Sequence, residues 1–297
     1  MDDKNLPLHS TLTGEIDALC RRYNFVTKIQ AGKSVLGKEI FALKIGELAG
    51  AVLYAGAFHA QEWITAMLLM RFTAELCTGL DRGVTLADID CRKALLGRGL
   101  VIIPCVNPDG VEIALRGVSG GGDLAGEVDR ISGGDLRGWN ANARGVDINH
   151  NFDAGWHIAQ GLEAGMGITG SAPRRYGGLA PESEPETRAL CDFCRANRFR
   201  MAVAWHAQGE EIFWKYGDNH PPKSALIANL FAISSGYRLA APDAIASHAG
   251  FKDWFIGNFR RPAYTVEIGK GENPLPVSDL EGIYAKLLEM MMIGIVV

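Results

Sequence analysis

Three things are scarce in this 297-residue chain, and each closes off a class of answer. An excess of one charge sign is the first. Its 30 Lys and Arg are interspersed with 34 Asp and Glu, for a net charge of −4. That excludes the basic face needed by a nucleic-acid or polybasic membrane partner. Long apolar runs are the second. The opening Met1–Pro7 is polar and lacks a signal-peptide core, and the terminal run Met290–Val297 is too short to span a bilayer. We read that run as a buried helix end. The third is a disulfide framework: Cys20, Cys77, Cys91, Cys105, Cys191 and Cys194 are scattered through predicted helices and strands. Cys191 and Cys194 have redox spacing, but they lie inside one predicted helix with no second pair, and neither a structural zinc nor a redox role is expected. Together these features predict a reduced, cytoplasmic protein with no nucleic-acid and no membrane partner.

What is present is an ordinary apolar fraction of 47% and a charged fraction of 22%, enough for a sizeable core. No repeat or low-complexity linker interrupts the chain, so residues 1–297 are expected to form a single domain. A helix is predicted over 9–22, then β-rich segments Val26–Gln30 and Glu39–Gly46. Ala51–Phe58 is wholly apolar and reads as a central strand buried on both faces. A helix over about 62–78 and a short one near 85–95 follow. Leu100–Val106 is a second buried strand, ended by the turn Asn107–Gly110. Residues 116–140 hold eight glycines and read as a long loop, as does 153–180. Ser183 is expected to cap a helix that carries Pro185 and Glu186 in its first turn. Arg200–Trp205 and Pro262–Val266 are further buried strands, and helices are expected near 222–235 and 277–295. The alternation predicts an α/β fold, with a mixed, mostly parallel central sheet and helices on both faces.

Three of the predicted strands end on residues with metal or acid–base chemistry. His59 and Glu62 follow the first, His206 follows Arg200–Trp205, and Glu267 ends the last. Active sites of open α/β sheets form at the carboxyl ends of strands, so these four can converge. A catalytic zinc takes three protein ligands from imidazole and carboxylate and keeps one position for water.

In this order the chain carries His59-x-x-Glu62, Asn107–Gly110, Gly145-Val-Asp147-x-Asn149, Ser183–Glu186, His206 and Glu267. The pattern resembles the zinc carboxypeptidase family from about residue 10 to the last helix. The resemblance implies one Zn²⁺ per chain on His59, Glu62 and His206. It implies that Asp147 supports the first histidine and that Glu267 is the general base for a zinc-activated water.

Three departures bear on substrate. Family members that remove a C-terminal residue carry an arginine where this chain has His150, after Asn149, and imidazole cannot reproduce a guanidinium fork. Asn140 stands after Trp139, where a basic residue normally polarises the scissile carbonyl. Asn140 can still donate a hydrogen bond there, and Arg137 or Arg144 is a candidate substitute. The tyrosine that closes over substrate has no counterpart in Pro242–Gly250. The segments Trp205–Trp214, Gly250–Ile256 and Glu267–Pro276 are instead similar to bacterial γ-D-glutamyl-diaminopimelate endopeptidases. That likeness implies a peptidoglycan-derived peptide substrate. The expected binding residues are Asn140, Asn149, His150 and Gln208, with Lys252 facing the diaminopimelate carboxylate and Glu210 or Glu211 facing its amine. The competing readings are a carboxypeptidase or N-acyl-amino-acid deacylase with a rebuilt carboxylate clamp, and a non-catalytic binding protein on the same fold.

Overall fold

The computed structural model describes residues 6–241 and 247–297. Its main sheet is built from β1 (Val26–Lys33), β2 (Glu39–Gly46), β3 (Val52–Gly56), β6 (Gly99–Ile103), β7 (Met201–Ala207), β8 (Glu211–Phe213), β9 (Arg238–Leu239) and β10 (Ala263–Ile268). The spatial order is β1-β2-β6-β3-β7-β10-β8-β9. β6, β3, β7 and β10 run parallel at the centre, while β1, β2 and β8 pair antiparallel toward the edges.

Helices cover both faces because the central strands are apolar on both. Alternate residues divide cleanly. Val52, Tyr54, Val203, Trp205, Tyr264 and Val266 join one core, and Leu53, Ala55, Ala202, Ala204 and Ala263 join the other. The first core is closed by α1 (His9–Arg22), α2 (Ile64–Arg82), α3 (Cys91–Leu95), α8 (Ser224–Ser235) and α10 (Leu280–Val296). The second is closed by α7 (Pro185–Asn197) and α9 (Phe251–Phe259). Burying a side chain such as Phe231 or Phe255 is worth roughly 1.5–3 kcal/mol. Met290, Met291, Met292 and Ile295 are buried, so the terminal apolar run is a core helix end. Among the described residues no helix is long and apolar enough to cross a membrane.

Four local expectations change. The stretch near 85–95 opens as a hairpin, β4 (Thr85–Leu86) with β5 (Ile89–Asp90), and is helical only over α3. Ala87 and Asp88 take positive φ in its turn, and the Asp90 side chain caps α3 by accepting from Lys93 N. Asn107–Gly110 is more than a turn. Asn107 Oδ1 accepts from Gly110 N, and with Pro108 in the first turn it starts α4 (Pro108–Arg116). The glycine-rich 116–140 stretch holds 3₁₀ turns over Gly117–Leu124 and the helix α5 (Ala125–Ser132), and 153–180 contains α6 (Trp156–Gly165). Finally, Ser183 does not cap α7. Its hydroxyl accepts from Asn151 Nδ2 and donates to Glu184 Oε1, and Glu184 holds the cap position without a side-chain bond.

Candidate metal centre and active site

Strand register builds half of this site. Glu267 on β10 lies beside His206 on parallel β7 and beside Glu211 on antiparallel β8. All three have the parity of the α7/α9 face, so their side chains leave the sheet on the same side, in a row across three strands.

The other half comes from the sharp exit of β3. Gly56 lies tight against α2, where a Cβ would meet Leu69 Cδ1 at 2.9 Å and Thr65 Oγ1 at 3.1 Å. Thr65 Oγ1 accepts from Ala57 N at 2.7 Å and donates to Glu62 O at 2.7 Å, which ties the two ends of the turn together. Asn107 Nδ2 donates to Phe58 O at 3.0 Å and to Ala141 O at 3.2 Å. The Asn-Pro-Asp-Gly motif is therefore scaffolding for the His59–Glu62 turn. Its aspartate, Asp109, is buried and paired with Lys38 at 2.8 Å.

The result is a tight donor cluster. His59 Nδ1 lies 2.8 Å from Glu62 Oε1, His206 Nδ1 lies 2.9 Å from Glu62 Oε2, and the two Nδ1 atoms are 3.3 Å apart. Two imidazole nitrogens bound tetrahedrally to one zinc at about 2.0–2.1 Å would stand roughly 3.4 Å apart. Two imidazoles and a carboxylate with ligand atoms within 4.8 Å of one another fit that ion. The His206 ring is held by stacking on Phe58, centroids 5.0 Å apart. His59 Nε2 lies 3.2 Å from Asp147 Oδ1, and the same carboxylate accepts from Arg175 N at 2.9 Å and Asn149 N at 3.3 Å.

Charges follow from these contacts. Burial disfavours a charged His59, but Glu62 and Asp147 outweigh it and hold its pKa well above the usual imidazole value. Burial also opposes ionisation of Glu62, yet His59 and His206 keep its pKa down at about 2. Asp147 is likewise pulled below the usual carboxylate range by His59 and His150 despite burial. Glu267 goes the other way: burial and then the Glu62 charge push its pKa well above the carboxylate range.

A cleft of about 880 Å³ opens over this cluster, lined by His59, Glu62, Asn140, Gln208, Glu211, Phe213, Arg238, Glu267 and Asn273, among others. Asn140, Gln208 and Glu211 are thus placed with the metal cluster, and the remaining predicted binding residues lie elsewhere. Lys252 is buried, donates to Lys215 O at 2.8 Å and pairs with Asp253. Glu210 is held by Lys286 at 2.5 Å and Lys270 at 3.1 Å. Asn149 Oδ1 accepts from Phe251 N at the start of α9. His150 turns inward onto buried Glu163 at 3.0 Å. Of the two arginines considered beside Asn140, Arg137 is 91% exposed and paired with Asp135, and Arg144 faces Glu184 at 3.6 Å. Neither lines the cleft. Part of the Pro242–Gly250 stretch, residues 242–246, lies outside the described residues.

Arg238 and Asn273 enter the cleft without having been expected. Gly236, at φ 72, ends α8, and the following strand is only two residues long. A strand of that length offers no alternation to read.

A family profile described as "Zinc carboxypeptidase" matches residues 13–289. The chain is 34% identical over 289 residues to Gamma-D-glutamyl-L-diamino acid endopeptidase 1 of Lysinibacillus sphaericus, covering 97% of this chain and 72% of that protein. It is 25% identical over 263 residues to Carboxypeptidase B of Rattus norvegicus, covering 82% of this chain and 58% of the relative. Among solved structures, bovine thrombin-activatable fibrinolysis inhibitor in complex with tick carboxypeptidase inhibitor superposes with a TM-score of 0.77 at 20% identity, covering 98% of this chain and 97% of that one. That likeness speaks for the fold.

Proposed function

The chain belongs to the zinc carboxypeptidase family and is a zinc metallopeptidase, and on that premise we propose that it hydrolyses the γ-D-glutamyl–meso-diaminopimelate bond of peptidoglycan stem peptides. The observation that carries this reading is the 34% identity, over 97% of the chain, to an endopeptidase named for that class of bond. Two features of the site support it. His150, at the position of the family's carboxylate-clamping arginine, is engaged with Glu163 away from the cleft. Acidic and basic side chains, Glu211 and Arg238, line the cleft together.

His59 Nδ1, Glu62 and His206 Nδ1 would hold the zinc, which when bound would supply Lewis acidity toward a water and the scissile carbonyl. Asp147 accepts from His59 Nε2, which fixes the ring with Nδ1 toward the cluster. Glu267 accepts the proton of the attacking water and passes it to the departing nitrogen as the C–N bond breaks. The Asn140 amide donates a neutral N–H to the charge developing on the carbonyl oxygen. Gln208, at the cis peptide after β7, lines the same wall.

We place the activity in the cytoplasm, on free stem peptides. Support comes from the cysteines, five of them buried as thiols. Metal analysis and cleavage of L-Ala-γ-D-Glu-meso-diaminopimelate, with its terminus free or amidated, test the proposal. Cleavage of both forms is expected. Cleavage of the free form alone would assign a carboxypeptidase, and absence of both zinc and cleavage would assign a binding protein.

A further inference from the structure

The cleft holds an ion pair that the hydrolytic machinery leaves unused. Arg238 pairs with Glu211 on the cleft wall, and among the described residues lining that cleft it is the one lysine or arginine. The Arg238 side chain is 71% exposed and that of Glu211 18%, so solvent screens the pair and it adds little to stability. Its backbone is nevertheless pinned. Arg238 N donates to Glu210 O at 3.1 Å and Ala240 N to Ile212 O at 3.0 Å, which locks β9 to β8.

We propose that Glu211 and Arg238 together form the receptor for the zwitterionic far end of the substrate's diamino acid, Glu211 taking its ammonium and Arg238 its carboxylate. This rests on the γ-D-glutamyl–diaminopimelate reading and names the residues that recognise the diamino acid. Complementarity is the first argument. A carbon bearing both an ammonium and a carboxylate presents two opposite charges side by side, as Glu211 and Arg238 do. Inserting it exchanges one protein ion pair for two, with the guanidinium fork meeting a carboxylate in the geometry it favours. Reach is the second. Glu211 is in register with Glu267, and Arg238 is in register with Glu211 on the next strand. Neighbouring strands lie about 4.8 Å apart, so the pair stands roughly 5–10 Å across the sheet from the base. The far carbon of diaminopimelate is separated from the scissile nitrogen by five bonds of about 1.5 Å, on the order of 6 Å when extended. The neighbouring charges already have partners. Lys252 is spent on Asp253, and Glu210 on Lys270 and Lys286.

Calorimetric binding in the zinc-loaded Glu267→Gln background separates this from turnover. The probes are L-Ala-γ-D-Glu-meso-diaminopimelate and L-Ala-γ-D-Glu-L-lysine, which differ only in the distal carboxylate. The first should bind at least tenfold tighter. Adding Arg238→Gln should collapse that ratio toward one, and Arg238→Lys should restore part of it. Glu211→Gln should weaken both peptides, since both carry the distal amine. A ratio near one in the parent, a ratio that survives Arg238→Gln, or equal weakening of both peptides by Arg238→Gln overturns the assignment. Arg238-dependent discrimination by a wild-type protein that cleaves neither peptide leaves the receptor standing and removes the proposed reaction. Cleavage of the diaminopimelate peptide with discrimination indifferent to Arg238 does the reverse.

Discussion

Replacing Asp147 by asparagine isolates the support behind the metal cluster. The carboxylate is buried, 2% exposed, and serves three donors: His59 Nε2, Arg175 N and Asn149 N. Asparagine keeps the volume and one acceptor oxygen but turns an NH₂ toward one of those donors, so at least one contact is lost. It also removes the negative charge that helps hold the His59 pKa high, and with it the electron-donating push on the ligand nitrogen. Loss of such a contact typically costs 10–100-fold in metal affinity, or about 1.4–2.7 kcal/mol. Competition against a chelator of known affinity reads the zinc constant directly, and melting with and without zinc reports the same loss as a smaller metal-induced shift. Expected is a 10–100-fold weaker zinc constant in a protein whose metal-free melting changes far less. Unchanged zinc affinity would refute the reasoning, because the Asp147–His59 contact would then carry nothing to the ligand nitrogen.

Glu267→Gln keeps the shape of the base and removes its proton acceptor, so kcat should fall about 10²–10⁴-fold while zinc stoichiometry stays at one; retained turnover would relocate the base. Thr65→Val strips the acceptor from Ala57 N and the donor from Glu62 O. It should cost about 1–3 kcal/mol in denaturant unfolding and weaken zinc binding through the loosened turn. Glu186, buried beside Asn142 and Val35, has its pKa pushed up to about 7 by burial. Because the folded state holds that proton more tightly, the associated stability is full below about pH 4.5 and lost as pH rises through about 7, a change of roughly 3 kcal/mol. Glu186→Gln should therefore gain stability relative to the wild type across that window, and a pH-independent difference between the two would exclude the assignment.

The two ends of the site differed in how far they could be read from sequence. Ala51–Phe58, Arg200–Trp205 and Pro262–Val266 are apolar runs, and the residues that follow each are placed at a sheet edge by local chemistry alone. Side-chain parity then puts His206 and Glu267 on one face. The segments near 85–95, 116–140 and 153–180 resisted because short hairpins and 3₁₀ turns carry too few residues for a period. Lys252 illustrates the remaining difficulty. Its neutralising partner, Asp253, is the next residue, but only burial of α9 against the sheet turns both side chains inward and makes them pair.

Sequence by itself thus located six of the sheet's strands, β1, β2, β3, β6, β7 and β10, and the ligand set His59, Glu62 and His206, while Asp147 and Glu267 were expected from the family motifs. His59, Glu62, His206 and Glu267 depend on where a strand ends, and strand ends are written in hydrophobic pattern, whereas Asp147 lies in a loop before Ile148–His150. Tertiary structure alone decided which charges face the cleft. It drew Lys252 and His150 into buried pairs, tied Glu210 to the exposed Lys270 and Lys286, and presented Arg238 with Glu211. Which charges pair is set by packing, for the adjacent Lys252 and Asp253 as for the distant Glu211 and Arg238.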